Sequence, residues 1–185
     1  MKRILTCVLG LAAVLAADVT AQSGDAATIE RALAPISGRT AEGAAVVAFN
    51  ADHTWRTLKA GTNRWACYDR SGEAGQPAFS VQCTSVGNLP RIAQNRKLAA
   101  ENQDRDALRA AVAAAEADGT RVDAEYGSMW IRMAGENRQT AGTHTTIAVP
   151  GATTATTGLP DNGTQGGAYI MSAGTSEAHI MVPGR

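Results

Sequence analysis

The first twenty-one residues constrain the fold most, because they have the pattern of a leader that is removed before the rest of the chain folds. Lys2 and Arg3 precede an apolar run over residues 4–17. Val19 and Ala21 then supply the small or branched residues that signal peptidase needs at the minus-three and minus-one positions. We therefore predict a signal peptide over residues 1–21, a mature chain that begins at Gln22, and a single domain over residues 22–185.

The same leader predicts where the protein is located. Its fourteen-residue apolar run is shorter than the about 20 residues that a membrane-spanning helix requires. No later segment is long and apolar enough to replace it. The sequence thus predicts a periplasmic or secreted protein without a transmembrane segment.

Charge argues against a nucleic-acid partner. The chain holds 17 basic and 17 acidic residues, and no large excess of positive charge is available to attract nucleic acid or anionic lipid. The basic residues Arg91, Arg96, Lys97 and Arg105 lack interleaved aromatic residues, which favours a solvated helix face. We expect no nucleic-acid partner.

The cysteines predict one disulfide. Cys7 lies in the leader, which leaves Cys67 and Cys83 with only one intramolecular pairing in an oxidising compartment. A reactive or metal-binding pair is the alternative. The spacing is not C-x-x-C, however, and neither cysteine has a histidine beside it in sequence.

Hydrophobic periodicity predicts an α+β domain. Ile29, Leu33 and Ile36 fall at helical spacing, and alternating or β-rich segments occur on both sides of a central helical region. We expect a short N-terminal helix and an antiparallel sheet of about six or seven strands. An inserted helix pair separates the disulfide-linked strands, joined near one end, from the C-terminal strands.

Two helices are predicted in the middle of the chain. Asn88 is a plausible N-cap, and Pro90 is tolerated in the first turn of a helix that reaches about Ala100. The second helix starts near Asp104 and ends at Gly119. Its apolar stripe is formed by Leu108, Ala111, Val112 and Ala115. The segment between Val149 and Ala168 is too polar for core and is predicted to be a long loop, functional or mobile.

Two blocks of sequence resemble a family of uncharacterised exported bacterial proteins. The first, at residues 61–67, has the pattern G-T-N-x-W-x-C, and the second, at residues 169–183, has the pattern Y-x-M-x-x-G-T-x-x-x-H-x-M-V-P. The resemblance implies export and a second cysteine after a loop rich in Gly and Pro. It implies no activity that we can name.

Histidine is scarce, which limits metal chemistry. The three histidines are His53, His144 and His179, and the last two lie close to the starts of strands that are candidate neighbours. Met171 and Met181 could add thioether ligands in a combination that suits copper. Methionine at alternating strand positions is more often core filler, so His144 and His179 are only weak candidates. We expect no cofactor and no zinc or copper site tighter than roughly 10 μM.

No catalytic constellation stands out. Ser176 lies three residues before His179, but no G-x-S-x-G elbow surrounds it. If both were on one strand, their side chains would point to opposite faces. We therefore assign no catalytic residue.

Binding is consequently the favoured function. Arg64 and Trp65, with Tyr169 and His179 on the terminal hairpin, form the candidate binding surface, since amphipathic and cationic side chains near turns are accessible to ligands. We predict a domain that binds a small molecule or an envelope protein, or that acts as an envelope scaffold. The alternative is a metal-dependent or hydrolytic periplasmic enzyme.

Overall fold

Eight strands form one sheet in the computed structural model, which describes residues 24–183. The strands are β1 (Ala45–Phe49), β2 (Trp55–Lys59), β3 (Trp65–Asp69), β4 (Phe79–Ser85), β5 (Met129–Gly135), β6 (Gly142–Ala148), β7 (Tyr169–Met171) and β8 (His179–Val182). Their order across the sheet is β2-β1-β3-β4-β5-β6-β8-β7. The α+β class is therefore confirmed, with more strands than the six or seven predicted.

Five α-helices accompany the sheet in the described residues. They are α1 (residues 24–32), α2 (Gly38–Gly43), α3 (Leu89–Glu101), α4 (Arg105–Ala117) and α5 (Thr154–Thr157). Short 3-10 turns occur at Val86–Asn88 and Gly163–Gln165. The inserted helix pair α3 and α4 lies between β4 and β5, as the sequence predicts.

One strand pair, β1 with β3, is parallel, whereas the sequence predicted an antiparallel sheet. After the β1–β2 hairpin the chain crosses the start of β1 and enters β3 on the other side. Gly61 makes this crossing possible, because a Cβ atom there would lie 2.5 Å from the backbone nitrogen of Ala45. The backbone N–H groups of Thr62 and Asn63 both donate to the carbonyl of Gly43, which fixes the crossing.

The two faces of the sheet carry separate cores. On the first, which we call the disulfide face, α1 packs over Val46, Cys67 and Cys83 through Ala32. On the second, the helix-pair face, Leu89 and Ile92 of α3 pack over residues 47, 66 and 68. Side chains that alternate along each strand explain how one sheet serves both cores.

The predicted disulfide joins Cys67 to Cys83. These residues are directly opposed in the ladder between β3 and β4. Cys67 is the central residue of β3, so the bridge lies in the middle of that strand and not near one end, as we had expected.

The boundaries of α3 and α4 agree with the sequence, whereas α1 ends before Leu33 and Ile36, two of the residues that predicted it. The predicted role of Asn88 is also not observed. Asp104 caps α4 by accepting from the backbone N–H groups of Asp106 and Ala107. Asn88 precedes α3 without a side-chain capping bond. Its side chain donates instead to Thr84 Oγ1 and Ser128 Oγ. These contacts take the place of the predicted capping bond to the backbone of α3.

The polar segment between Val149 and Ala168 contributes one residue, Ala152, to the core, although it was predicted to be too polar for core. It contains the capped helical turn α5. Val149 and Ala152 are buried with Ile170 and Ala178 in a third cluster. The small side chain of Ala152 concealed its burial from a prediction based on hydrophobic runs.

No helix among residues 24–183 has the length and apolar character needed to cross a bilayer. The predicted signal peptide and its cleavage site lie outside the described residues.

Candidate functional site

The structure distributes the four predicted binding residues over three cavities. Arg64 and Trp65 line a cleft of about 180 Å³ at the start of β3. Tyr169 lines a cleft beside the C-terminal end of β8, and His179 lines a cavity of about 260 Å³ near the start of that strand. The predicted residues therefore do not form one surface.

Strand order and register explain this separation. Strands β3 and β8 are four positions apart, which is about 19 Å at the usual strand spacing. Trp65 packs against the disulfide-face core. The ladder pairs run from Cys67 through residues 83, 131 and 145 to Val182. His179 is three residues from Val182, so its side chain lies on the opposite, helix-pair face.

The Arg64 cleft is polar with an aromatic rim. Glu125 accepts from Ser85 Oγ and forms an ion pair with Arg64. Tyr126 beside it is 70 % exposed. Tyr126 belongs to a turn before β5. This cleft is small, and the Arg64 side chain at its rim is mostly exposed, with Nη2 paired to Glu125.

The cavity that contains His179 is larger than the Arg64 cleft and is also open to solvent. Its floor is the helix-pair face of the sheet, through Trp130, Thr146, Ala148 and His179. Its walls come from α3 and from the loops on either side, which contribute Arg91, Ala124, Ser176, Glu177 and Ala178. We refer to it below as the Arg91 cavity, because this residue is its buried cation.

Arg91 is buried and incompletely paired. Its side chain is only 6 % exposed. Nη1 donates to the carbonyl of Val122 at 2.5 Å, whereas Nη2 has two long contacts, 3.5 Å to Ser176 Oγ and 3.8 Å to Glu177 Oε1. Burial lowers the pKa of Arg91, and the nearby Arg121 cation lowers it further. A guanidinium under these conditions is stabilised by any additional anion that reaches it.

Two carboxylates near Arg91, those of Glu177 and Glu116, already accept hydrogen bonds from other groups. Glu177 Oε1 also accepts from Arg121 Nη2 at 3.2 Å, and the side chain of Glu177 is 48 % exposed. Glu116 accepts from the backbone N–H of Ser176. Hydrogen bonding by the Ser176 side chain is the main reason that the pKa of Glu116 is lowered, and the backbone bond contributes less. Arg121 is held further by Gln94 and Asn95 at 2.7 Å each. Arg91 Nη2 thus has only long contacts, whereas Arg121 is paired through both terminal nitrogens and has one donor, Nε, without a partner.

Ser176 and His179 line the same cavity, although the sequence argument placed them on opposite faces of a strand. That argument was wrong because Ser176 lies in the turn before β8 and not on the strand. Nevertheless, Ser176 Oγ contacts Arg91, and His179 Nδ1 lies 2.7 Å from the carbonyl oxygen of Glu177.

The two weak metal candidates lie on neighbouring strands, but their positions do not coincide. Ala148 of β6 is opposite His179, and His144 is four residues earlier on β6. This separation is about 13 Å along the strand. His144 and His179 therefore cannot bind one ion together. Residues 24–183 contain no group of three His, Cys, Asp or Glu side chains placed to hold a metal.

Sequence reasoning missed Arg91 and Trp130. It assigned Arg91 to a solvated basic face, whereas the residue is 5 % exposed. Arg96 of the same group is also not freely solvated, since its guanidinium lies 4.1 Å above the ring of Phe49. The one available signal was position: Arg91 immediately precedes Ile92, which packs in the core.

Comparison with known proteins adds no further assignment, because no protein-family model, curated protein or solved structure matches the chain. The family resemblance of the two sequence blocks stays a prediction. The structure does give one block a local explanation. Gly61 allows the close crossing of β1, and Asn63 accepts from the backbone N–H of Trp65 and donates to the carbonyl of Thr40.

Proposed function

We propose that this protein is an exported binding domain whose ligand is a small organic anion held by Arg91. The observation that carries the proposal is the buried guanidinium of Arg91 with one nitrogen facing only long contacts. Carboxylates are strong partners for such a group, because charge-assisted hydrogen bonds are about twice as strong as neutral ones.

The remaining walls favour an organic ligand over a bare inorganic ion. Ala124, Ala148 and Ala178 contribute methyl groups, and Trp130 contributes an aromatic ring. Apolar walls with a few convergent polar groups are the usual composition of a small-molecule site. The cavity of about 260 Å³ is suited to a carboxylate with a short aliphatic chain or one small ring.

Calorimetric titration with a series of monocarboxylates from acetate to benzoate tests this proposal. Saturable one-to-one binding is expected, and the corresponding neutral amides should bind at least about tenfold more weakly because they lack the charge. Equal affinity for acids and amides, or no binding by any member of the series, would contradict the proposal.

Two variants locate the binding site. Ala124→Leu should fill the cavity from its loop wall without removing a hydrogen bond, and should abolish binding. The matched control is Ala113→Leu, on α4 in a different groove, which should bind as the original protein does. Arg91→Lys should weaken binding while retaining a positive charge, because lysine lacks the planar fork of donors. Unchanged affinity in the Ala124 variant would place the ligand elsewhere.

A second candidate function is ester hydrolysis in the same cavity, because Ser176 and His179 both line it. It is the less favoured function, since Ser176 Oγ contacts Arg91. Release of nitrophenol from a nitrophenyl ester that is lost in Ser176→Ala, with carboxylate binding retained, would support it over binding alone.

A further inference from the structure

A histidine and two methionines are neighbours on the helix-pair face at the edge of the sheet. Met171 of β7 is directly opposite His179 of β8. Met181 is two residues after His179 on the same strand, so all three side chains lie on one face. Directly opposed Cβ atoms are about 5 Å apart, and the i,i+2 spacing is about 7 Å. Flexible methionine side chains can close such distances around one ion.

One ring nitrogen of His179 already makes the backbone contact that a metal-binding histidine usually makes. Its Nδ1 lies 2.7 Å from the carbonyl oxygen of Glu177, which assigns the proton to Nδ1. The lone pair is then on Nε2. A backbone carbonyl in this position is the usual outer partner of a metal-binding histidine, because it fixes both the tautomer and the ring direction.

The methionines are not used as core filler. Met171 is 41 % exposed on the edge strand β7. Met181 is half-buried and opposite Tyr169. An exposed thioether beside a fixed imidazole contributes little to packing, so its stabilising value to the fold is small.

We propose that His179, Met171 and Met181 form a binding site for a single cuprous ion. Thioether sulfur is a soft ligand that selects Cu(I), and imidazole also suits copper. The three ligands are neutral, which favours a monovalent ion over a divalent one. The nearest carboxylate on this turn, Glu177, pairs with the cations Arg121 and Arg91. His179 also lines the Arg91 cavity, so the two proposed sites share this residue, whereas Met171 and Met181 lie outside the lining of that cavity.

The sequence predicted no copper site tighter than roughly 10 μM. The present proposal changes that expectation for Cu(I) only. Zinc and cupric ions prefer harder or anionic ligands. We still expect neither to bind more tightly than roughly 10 μM. The sequence indicated His144 and His179 as candidate metal ligands. In the proposed site His179 stays a ligand, and Met171 and Met181 take the place of His144.

The test is an anaerobic titration of the purified protein with cuprous ion in the presence of a chromophoric Cu(I) chelator. One ion should bind per chain. Met171→Leu and Met181→Leu should each weaken binding by at least about tenfold, and His179→Phe should do the same, because each removes one ligand. The matched control is Met129→Leu, which removes a methionine that is 40 % exposed on the disulfide face and should leave binding unchanged.

Methyl NMR of methionine-labelled protein gives a second readout. Addition of one equivalent of Cu(I) should shift the methyl signals of Met171 and Met181, and leave those of Met129 and Met133 unchanged. The proposal is overturned by the absence of one-to-one binding, by equal losses in the Met129 control, or by a zinc complex tighter than the cuprous one. Carboxylate binding measured on the same methionine variants should be retained, so a failure here is distinguishable from a failure of the anion site.

Discussion

Cys67 lies directly opposite Cys83 between β3 and β4, with the two Cα atoms 4.1 Å apart and both residues fully buried. Val46 is the parallel neighbour of Cys67 on the other side. The carbonyl oxygen of Ala32 lies 3.5 Å from Cys83 Sγ. The bridge therefore joins β3 to β4 beneath the C-terminal end of α1.

Replacing both cysteines with alanine should lower the free energy of unfolding by about 3 kcal/mol, because the bridge closes a short loop in the unfolded chain. Urea denaturation of the variant measures the loss. Thiol titration of the unfolded, unreduced exported protein should find no free thiol. Two free thiols, or a variant as stable as the original, would contradict this prediction.

Asn88→Ala should destabilise the fold by about 3 kcal/mol, because it leaves several buried polar groups without partners. Asn88 is fully buried, donates to Thr84 and Ser128, and accepts from the backbone N–H of Glu125 at 2.8 Å. Denaturant unfolding measures the change. Asn102→Ala at the end of α3 is the control: it loses one bond to the carbonyl of Leu98 and should cost about 1 kcal/mol or less. Equal losses in the two variants would show that burial of Asn88 has no special effect.

Stability should fall at alkaline pH through Tyr68. Burial raises the pKa of Tyr68 in the folded state, whereas the unfolded value is about 10. The stabilising contribution is therefore complete below about pH 10 and is lost progressively as the pH rises further. The unfolding free energy, measured from roughly pH 8 to pH 11 so that the range includes the unfolded pKa of tyrosine, should show the decline.

The decline should be absent in Tyr68→Phe and present in Tyr126→Phe, since Tyr126 is 70 % exposed. The Tyr68 variant also loses a hydrogen bond to Gln82 Oε1 at 2.7 Å, so its stability at neutral pH should be lower. A decline of the same size in both variants would assign the pH dependence to another group.

Processing of the leader is a further prediction, which depends on the sequence of residues 1–21. Intact-mass analysis of the protein exported by a bacterial host should show Gln22 as the first residue. Replacing Ala21 with a large charged residue should block cleavage, because the minus-one position accepts small side chains. Recovery of exported protein that retains Met1 would refute the assignment.

Much of the fold was accessible from local patterns. The positions of α3 and α4 follow from Asp104, Pro90 and Gly119, which act within one helical turn of themselves. The disulfide was accessible because only two cysteines remain after the leader. The parallel pairing of β1 and β3 could not be predicted from the sequence, since it depends on the close approach of Gly61 to Ala45, which no local pattern encodes.

The candidate sites were less accessible. Sequence indicated Arg64, Trp65, Tyr169 and His179 as one surface, and strand order placed them on both faces and about 19 Å apart. Arg91 was hidden because a basic residue in a helix is usually solvated. Its burial depends on contacts with Val122 and Ser176, which are distant in sequence.

By itself the sequence determined the class of the fold, the disulfide partners, and the limits of the central helices. These depend on composition and on spacings of a few residues. Only the tertiary structure decided which side chains meet. Met171 pairs with His179, and Arg91 faces a cavity, because register and strand order bring together residues that are far apart along the chain. A one-residue change of strand register would move Met171 or His179 to the other face of the sheet.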